Sequence, residues 1–229
     1  VELLDILDYA TPTGVHTVPT ELVGCWQRNW IRFGLNGELE SQVHVVWLQT
    51  ASGMADVRVD PTQAPHETDS SCGITVVDES TKPYVTADWH DGPSGFSQQP
   101  VSSFPEKGWL TWDNPSIMRE LAPSGAYVEE WERLPGSGGP TAHLISLDAS
   151  TTTNLYVAGR YALLCVKSAD GDGIHEFSWA ARSPGDDRLV IELSTLPDRV
   201  GMALETDHRW SVESYSESED FTAPAQMAT

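Results

Sequence analysis

The chain has 229 residues, a formal net charge of −21 and a pI near 4.4. That length suits one large β domain or two small ones and is enough to bury a core without covalent staples. The charge argues against nucleic acid and anionic membrane as partners, and otherwise serves solubility.

The first residues, Val1-Glu2-Leu3-Leu4-Asp5, lack a basic segment followed by an apolar core, so no signal peptide is expected. No apolar run approaches the roughly 20 residues that span a bilayer. Cys25, Cys72 and Cys165 cannot all pair within one chain, and no close spacing suggests a metal or redox site. Buried reduced thiols are expected, and with them a soluble protein of the reducing cytoplasm.

Read in chain order, strand follows strand. In Trp26-Gln27-Arg28-Asn29-Trp30-Ile31-Arg32-Phe33, strict alternation places Trp26, Arg28, Trp30 and Arg32 on one face. Gln42 to Gln49 is extended and β-branched, and Met54, Asp56 and Arg58 share a face of the next segment. Pro61 to Ser71 and Asp91 to Lys107 are Pro-, Ser- and Gln-rich loops, long enough to act as lids or binding loops. Trp109 to Trp112 leads into the turn Asp113-Asn114-Pro115. Ile117 to Leu121 is too short and too tightly bounded for a helix, and reads as a strand. Beyond Pro123-Ser124-Gly125, Tyr127, Glu129, Trp131 and Arg133 align on one face. Leu134 to Pro140 reads as a linker. Further strands follow at His143 to Leu147, Leu155 to Val166, Ile174 to Arg182, Arg188 to Leu196 and Arg209 to Tyr215. Gly171-Asp172-Gly173 and Pro184-Gly185-Asp186 supply hairpin turns between them.

Gly24-Cys25-Trp26 resembles the Gly-x-Trp signature that opens the first strand of lipocalins and their calycin relatives. In that family the Trp packs across the closed end of the barrel, often under an Arg from a late strand, a place Arg133 suits here. The order Trp47-Leu48-Gln49-Thr50, Ala55 to Val59, Glu129 to Arg133 and Val157 to Tyr161 is similar to the Hri-type two-barrel proteins of fungi and bacteria. The resemblance implies an all-β antiparallel meander forming two lipocalin-like barrels or half-barrels. Residues 1–134 would form the first, 141–216 a smaller second barrel, and 217–229 a flexible acidic tail. It implies no activity and no catalytic residues, so function must be argued from the site.

Nine tryptophans are a heavy load for this length, and most must be core. Trp26 reads as a floor ring, while Trp30, Trp47 and Trp89 are candidate walls for a ligand. If their faces point inward, Arg28, Arg32, Asp56 and Arg58 are buried charges that must pair, and Arg133 or Glu129 could join them. Either they form a closed ionic network, or one Arg stays free to hold a carboxylate, phenolate or carbonyl oxygen. A third alternative inverts the faces, since Ile31, Phe33, Val43 and Val45 would then point inward. His90, within Asp88-Trp89-His90-Asp91, and Asp56 are the candidate proton carriers. His90 or His175 is the candidate axial ligand should the barrel hold haem. No cofactor motif is evident. The expected function is binding of a small hydrophobic or aromatic molecule with one polar group, with cyclase, isomerase or oxygenase chemistry as an extension. A carrier without catalysis, a protein-interaction module and a homodimer stay open.

Overall fold

A computed structural model describes residues 18–34, 36–51, 53–64, 67–98, 106–146, 151–168, 174–183, 185, 188–205 and 210–216. The expected turn at 171–173, most of that at 184–186, the chain start and the acidic tail at 217–229 lie outside the described residues.

The first ten strands are β1 (Gly24–Phe33), β2 (Leu39–Glu40), β3 (His44–Gln49), β4 (Gly53–Val59), β5 (Ser71–Asp78), β6 (Val85–His90), β7 (Phe96–Ser97), β8 (Gly108–Asn114), β9 (Ile117–Leu121) and β10 (Tyr127–Arg133). Eight of them close into an antiparallel barrel in the order β1-β3-β4-β5-β6-β8-β9-β10, with β10 returning to β1. The two-residue strands β2 and β7 attach to β1 and β5. Closure removes the unpaired edges that a meander would otherwise present. The segment 117–121 is a strand, as its short length and bounding turns predict. Its entry turn is fixed by the Asn114 side chain, which accepts the Ser116 amide at 2.8 Å.

The remaining strands are β11 (Thr141–Ser146), β12 (Thr153–Ala158), β13 (Tyr161–Val166), β14 (Glu176–Arg182), β15 (Leu189–Ser194) and β16 (Trp210–Ser216). They form a second antiparallel sheet in the order β15-β14-β13-β12-β11-β16. Among the described residues no pairing joins β15 to β16, so the architecture is one closed barrel and one open sheet. One face of that sheet packs on the outer wall of the barrel. Tyr156, Leu163, Cys165 and Phe177 meet Cys25, Val46, Leu48, Ala55, Val57 and Cys72 there. Its other face gathers Leu144, Leu155, Val157, Leu164 and Ile191. Both faces are apolar, which is why β12 and β13 read as near-continuous hydrophobic runs rather than alternating ones.

The segment 134–140 is not a free tether. The Leu134 amide donates to the Cys25 carbonyl, the Arg160 amide donates to the Gly136 carbonyl, and the Tyr161 hydroxyl donates to the Pro135 carbonyl. It clamps the barrel to the sheet.

His143 sits in the same junction. Its ring stacks on Tyr156 with centroids 4.2 Å apart, and its Nε2 lies 2.9 Å from the Asn154 Oδ1. The Asn154 amide nitrogen donates to the Ser94 carbonyl, which orients Oδ1, an acceptor, toward His143 and makes Nε2 the donor. Burial pushes this imidazole down to about 4, against a smaller opposing effect of the Asn154 bond. The unfolded chain therefore takes up this proton near pH 6.5 and the folded chain near 4. Stability is complete above the higher value and is lost as pH falls, by about 3 kcal/mol in all. Urea unfolding of the wild type and His143→Gln should show the gap between them closing, or reversing, from pH 7 to pH 4.

Candidate functional site

The floor of the barrel is built first. Gly24 adopts φ +146°, and a Cβ there would collide with the Arg133 guanidinium. That guanidinium lies 4.3 Å from the centroid of the Trp26 ring and donates to the Val23 and Glu21 carbonyls. Trp26 in turn donates its indole N–H to the Leu22 carbonyl at 2.8 Å. Leu22, Leu110 and Met118 complete the plug.

Above the floor is an aromatic tier. Trp47 meets Trp89 and Trp131 edge-to-face, with centroids 5.9 and 5.6 Å away. Met54 shares the space. Higher still is a polar belt. Arg28 Nη1 donates to Glu129 Oε1 at 2.7 Å, with both side chains no more than 5% exposed. Arg58 Nε donates to Asp56 Oδ2 at 2.6 Å, and Asp56 Oδ1 accepts the amide and hydroxyl of Ser71. The Tyr127 hydroxyl donates to Glu120 Oε1 at 2.8 Å. These tiers enclose a cavity of about 410 Å³, whose mouth is formed by the ends of the strands and by the loop after β4. That volume is within the range of small-molecule sites.

Electrostatics in the belt follow from burial. Glu120 is pushed up to about 8, first by burial and then by the charge of Glu129, with Tyr127 and Arg58 pulling the other way. The Tyr127 phenol is raised by burial and then by Glu120. Burial would depress the Arg58 guanidinium, but the charges of Asp56 and Glu129 outweigh it and hold Arg58 above its ordinary value. At neutral pH the belt is two ion pairs and one neutral carboxyl.

Trp47 Nε1, Trp131 Nε1 and Arg28 Nε in this region are buried with no hydrogen-bond partner, although Trp131 is close enough to Glu120 to favour its charged form. A buried donor left alone costs about 1–3 kcal/mol unless a ligand or water meets it.

The structure brings together Arg28, Trp47, Asp56, Arg58, Trp89 and Glu129 on the cavity wall. It separates Trp30, His90 and His175 from it. Trp30 is displaced by a β-bulge: Arg28 faces Trp131 and Trp30 faces Glu130, with Asn29 the extra residue. One inserted residue exchanges the two faces. Trp26 and Arg28 therefore point inward as strict alternation predicts, whereas beyond the bulge Ile31 and Phe33 line the cavity. Trp30 instead carries the Arg119 guanidinium 5.5 Å from its ring centroid. The straight and the inverted readings of β1 each hold for one half of it.

His90 is 51% exposed and lies 3.4 Å from Asp88. His175 lies just before β14 of the second sheet, with its ring edge-on to Phe96. No histidine is among the described residues that line the cavity. Asp56 has both oxygens engaged, which suits an orienting role better than proton transfer.

The sequence reading missed Glu120. Its signal was available: in Ile117-Met118-Arg119-Glu120-Leu121, alternation puts Glu120 on the face of the buried Met118.

The fold and cavity define the chain as an antiparallel closed barrel with an internal ligand-sized chamber and a second sheet packed on its wall. In structure it is similar to the uncharacterized protein YLR301w from Saccharomyces cerevisiae, at a TM-score of 0.62 and 12% identity. The match covers 84% of this chain and 98% of the yeast chain, so it extends over both sheets. At that identity the likeness is one of fold. No family model and no curated protein matches the sequence. Among the described residues no helix is long and apolar enough to cross a membrane.

Proposed function

We propose that the barrel binds a small aromatic or hydrophobic molecule carrying an acceptor oxygen. The observation that carries this reading is a 410 Å³ cavity walled by Trp47, Trp89 and Trp131, in which the Trp47 side chain keeps a buried indole N–H without a partner. The aromatic tier supplies area for a ring, and the ligand's oxygen would relieve the orphaned donor. The Gly24, Trp26 and Arg133 floor supports the calycin-like affinity read from the sequence. A carrier is favoured over an enzyme, because His90 lies outside the cavity and Asp56 is fully engaged. Burial of Arg28 and Glu129 works against a protein-interaction module built on a charged face. Three buried free thiols support the reducing, cytoplasmic setting.

The test is native mass spectrometry of the purified chain, followed by calorimetric titration with 5-methoxyindole as probe. Trp47→Phe keeps the ring but removes the donor. It should weaken probe binding about fivefold, the worth of one neutral hydrogen bond, with the near-UV dichroism of the fold retained. No copurifying molecule and no probe binding would overturn the reading.

A further inference from the structure

The polar belt leaves no cation for an acidic ligand. Arg28 is taken by Glu129 and Arg58 by Asp56. These two arginines are the lining's only cations among the described residues, against seven carboxyls. Four of the seven, Glu40, Asp60, Glu67 and Asp69, ring the mouth. Among the described residues none of these four forms a salt bridge. Asp60 accepts from Thr62, Glu67 from the Ala64 amide and Glu40 from the Val43 amide. The chamber is therefore graded along its axis, from aromatic rings at the bottom, through compensated ion pairs, to an excess of negative charge at the opening, of which only Asp69 is felt by Arg58. At the buried end the rings of Trp47, Trp89 and Trp131 give a guest its wall, and the Trp47 N–H there has no partner.

Resting on the cavity reading above, we infer that the ligand is an aromatic amine, bound as its ammonium ion, with the ring against Trp47 and Trp131 and the cation among the carboxylates of the mouth. An oxygen on the far side of the ring meets Trp47 Nε1. A carboxylate ligand, which uncompensated arginines would have selected, is disfavoured, because the charge of each guanidinium is already balanced by a carboxylate.

Calorimetry with three probes of one frame tests this on the full chain: 5-methoxytryptamine (cation), 5-methoxyindole (neutral) and 5-methoxyindole-3-acetate (anion). The cation should bind about tenfold tighter than the neutral probe, as one or two unit charges within roughly 6–8 Å at intermediate dielectric provide. The anion should bind more weakly than either. The triple variant Asp60→Asn, Glu67→Gln, Asp69→Asn should bring the cation-to-neutral ratio toward one. A control triple far from the mouth, Glu132→Gln, Asp198→Asn, Glu205→Gln, removes the same net charge and should leave that ratio high. A ratio near one in the wild type, preference for the anion, or equal loss in both triples overturns the inference while leaving the cavity intact as a binding site for the neutral probe. Failure of all three probes to bind overturns both.

Discussion

Arg28→Met should destabilise the chain by about 3–5 kcal/mol, the cost of leaving a buried charge without its counter-ion. The partner is Glu129, 2.7 Å away and 4% exposed, so without the guanidinium its carboxylate is left poorly solvated and without a counter-ion. The loss is thus chiefly a property of the stranded carboxylate. Two further chains separate the causes. Glu129→Gln alone should cost less, because a neutral amide still accepts from Arg28. Arg28→Met combined with Glu129→Met should recover most of the single-variant loss, since replacing both members of a buried pair by apolar groups is often near neutral. Urea unfolding at pH 7 measures all three. A single variant within about 0.5 kcal/mol of the wild type would mean that this pair is solvated like a surface bridge.

The second large effect is a pH dependence centred on Glu120. Its carboxyl takes up a proton near pH 8 in the folded chain but near 4.5 once unfolded. Folding therefore binds a proton between those values. The associated stability is fully present below 4.5 and is lost as pH rises through 8, by about 4 kcal/mol from pH 5 to pH 8. Glu120→Gln has no proton to lose. It should be close to the wild type at pH 5 and clearly more stable at pH 8. The direction is opposite to that of His143, so the two variants together assign the alkaline and acid limbs of the profile. Infrared difference spectra should show a protonated carboxyl at pH 7 in the wild type that is absent from Glu120→Gln. A carboxyl held neutral beside an ionised neighbour is also the usual starting point for acid catalysis, which makes Glu120 the residue to examine should turnover be found.

Much of the barrel was legible because a strand's side chains alternate with a fixed period of two. Met54, Asp56 and Arg58 on one segment, and Tyr127, Glu129 and Trp131 on another, fall on the cavity wall as that period requires. The same rule misplaced Trp30, because a bulge is a local backbone event that leaves no compositional trace in Asn29. His90 drew attention through its acidic neighbours, yet charge along a sequence does not say which face of β6 a side chain takes; Trp89 faces in and His90 faces out. The second sheet was legible as strands but not as an open sheet. Its packing partner, the outer wall formed by Cys25, Leu48 and Val57, is distant in sequence. Which carboxylate pairs with which arginine was equally hidden, since Arg28 and Glu129 are 101 positions apart.

The second sheet backs only one side of the barrel: β12 leans on β3, and β13, β14 and β15 lean on β4. The arc from β8 to β10 has no comparable support among the described residues. The cylinder is thus braced along one flank and compliant along the other. Accommodation of a bulky guest would be absorbed by the unbraced flank, and amide hydrogens there should exchange sooner than those of β3 and β4. A scaffold of that kind can vary what it admits without disturbing the seam that holds its two halves together.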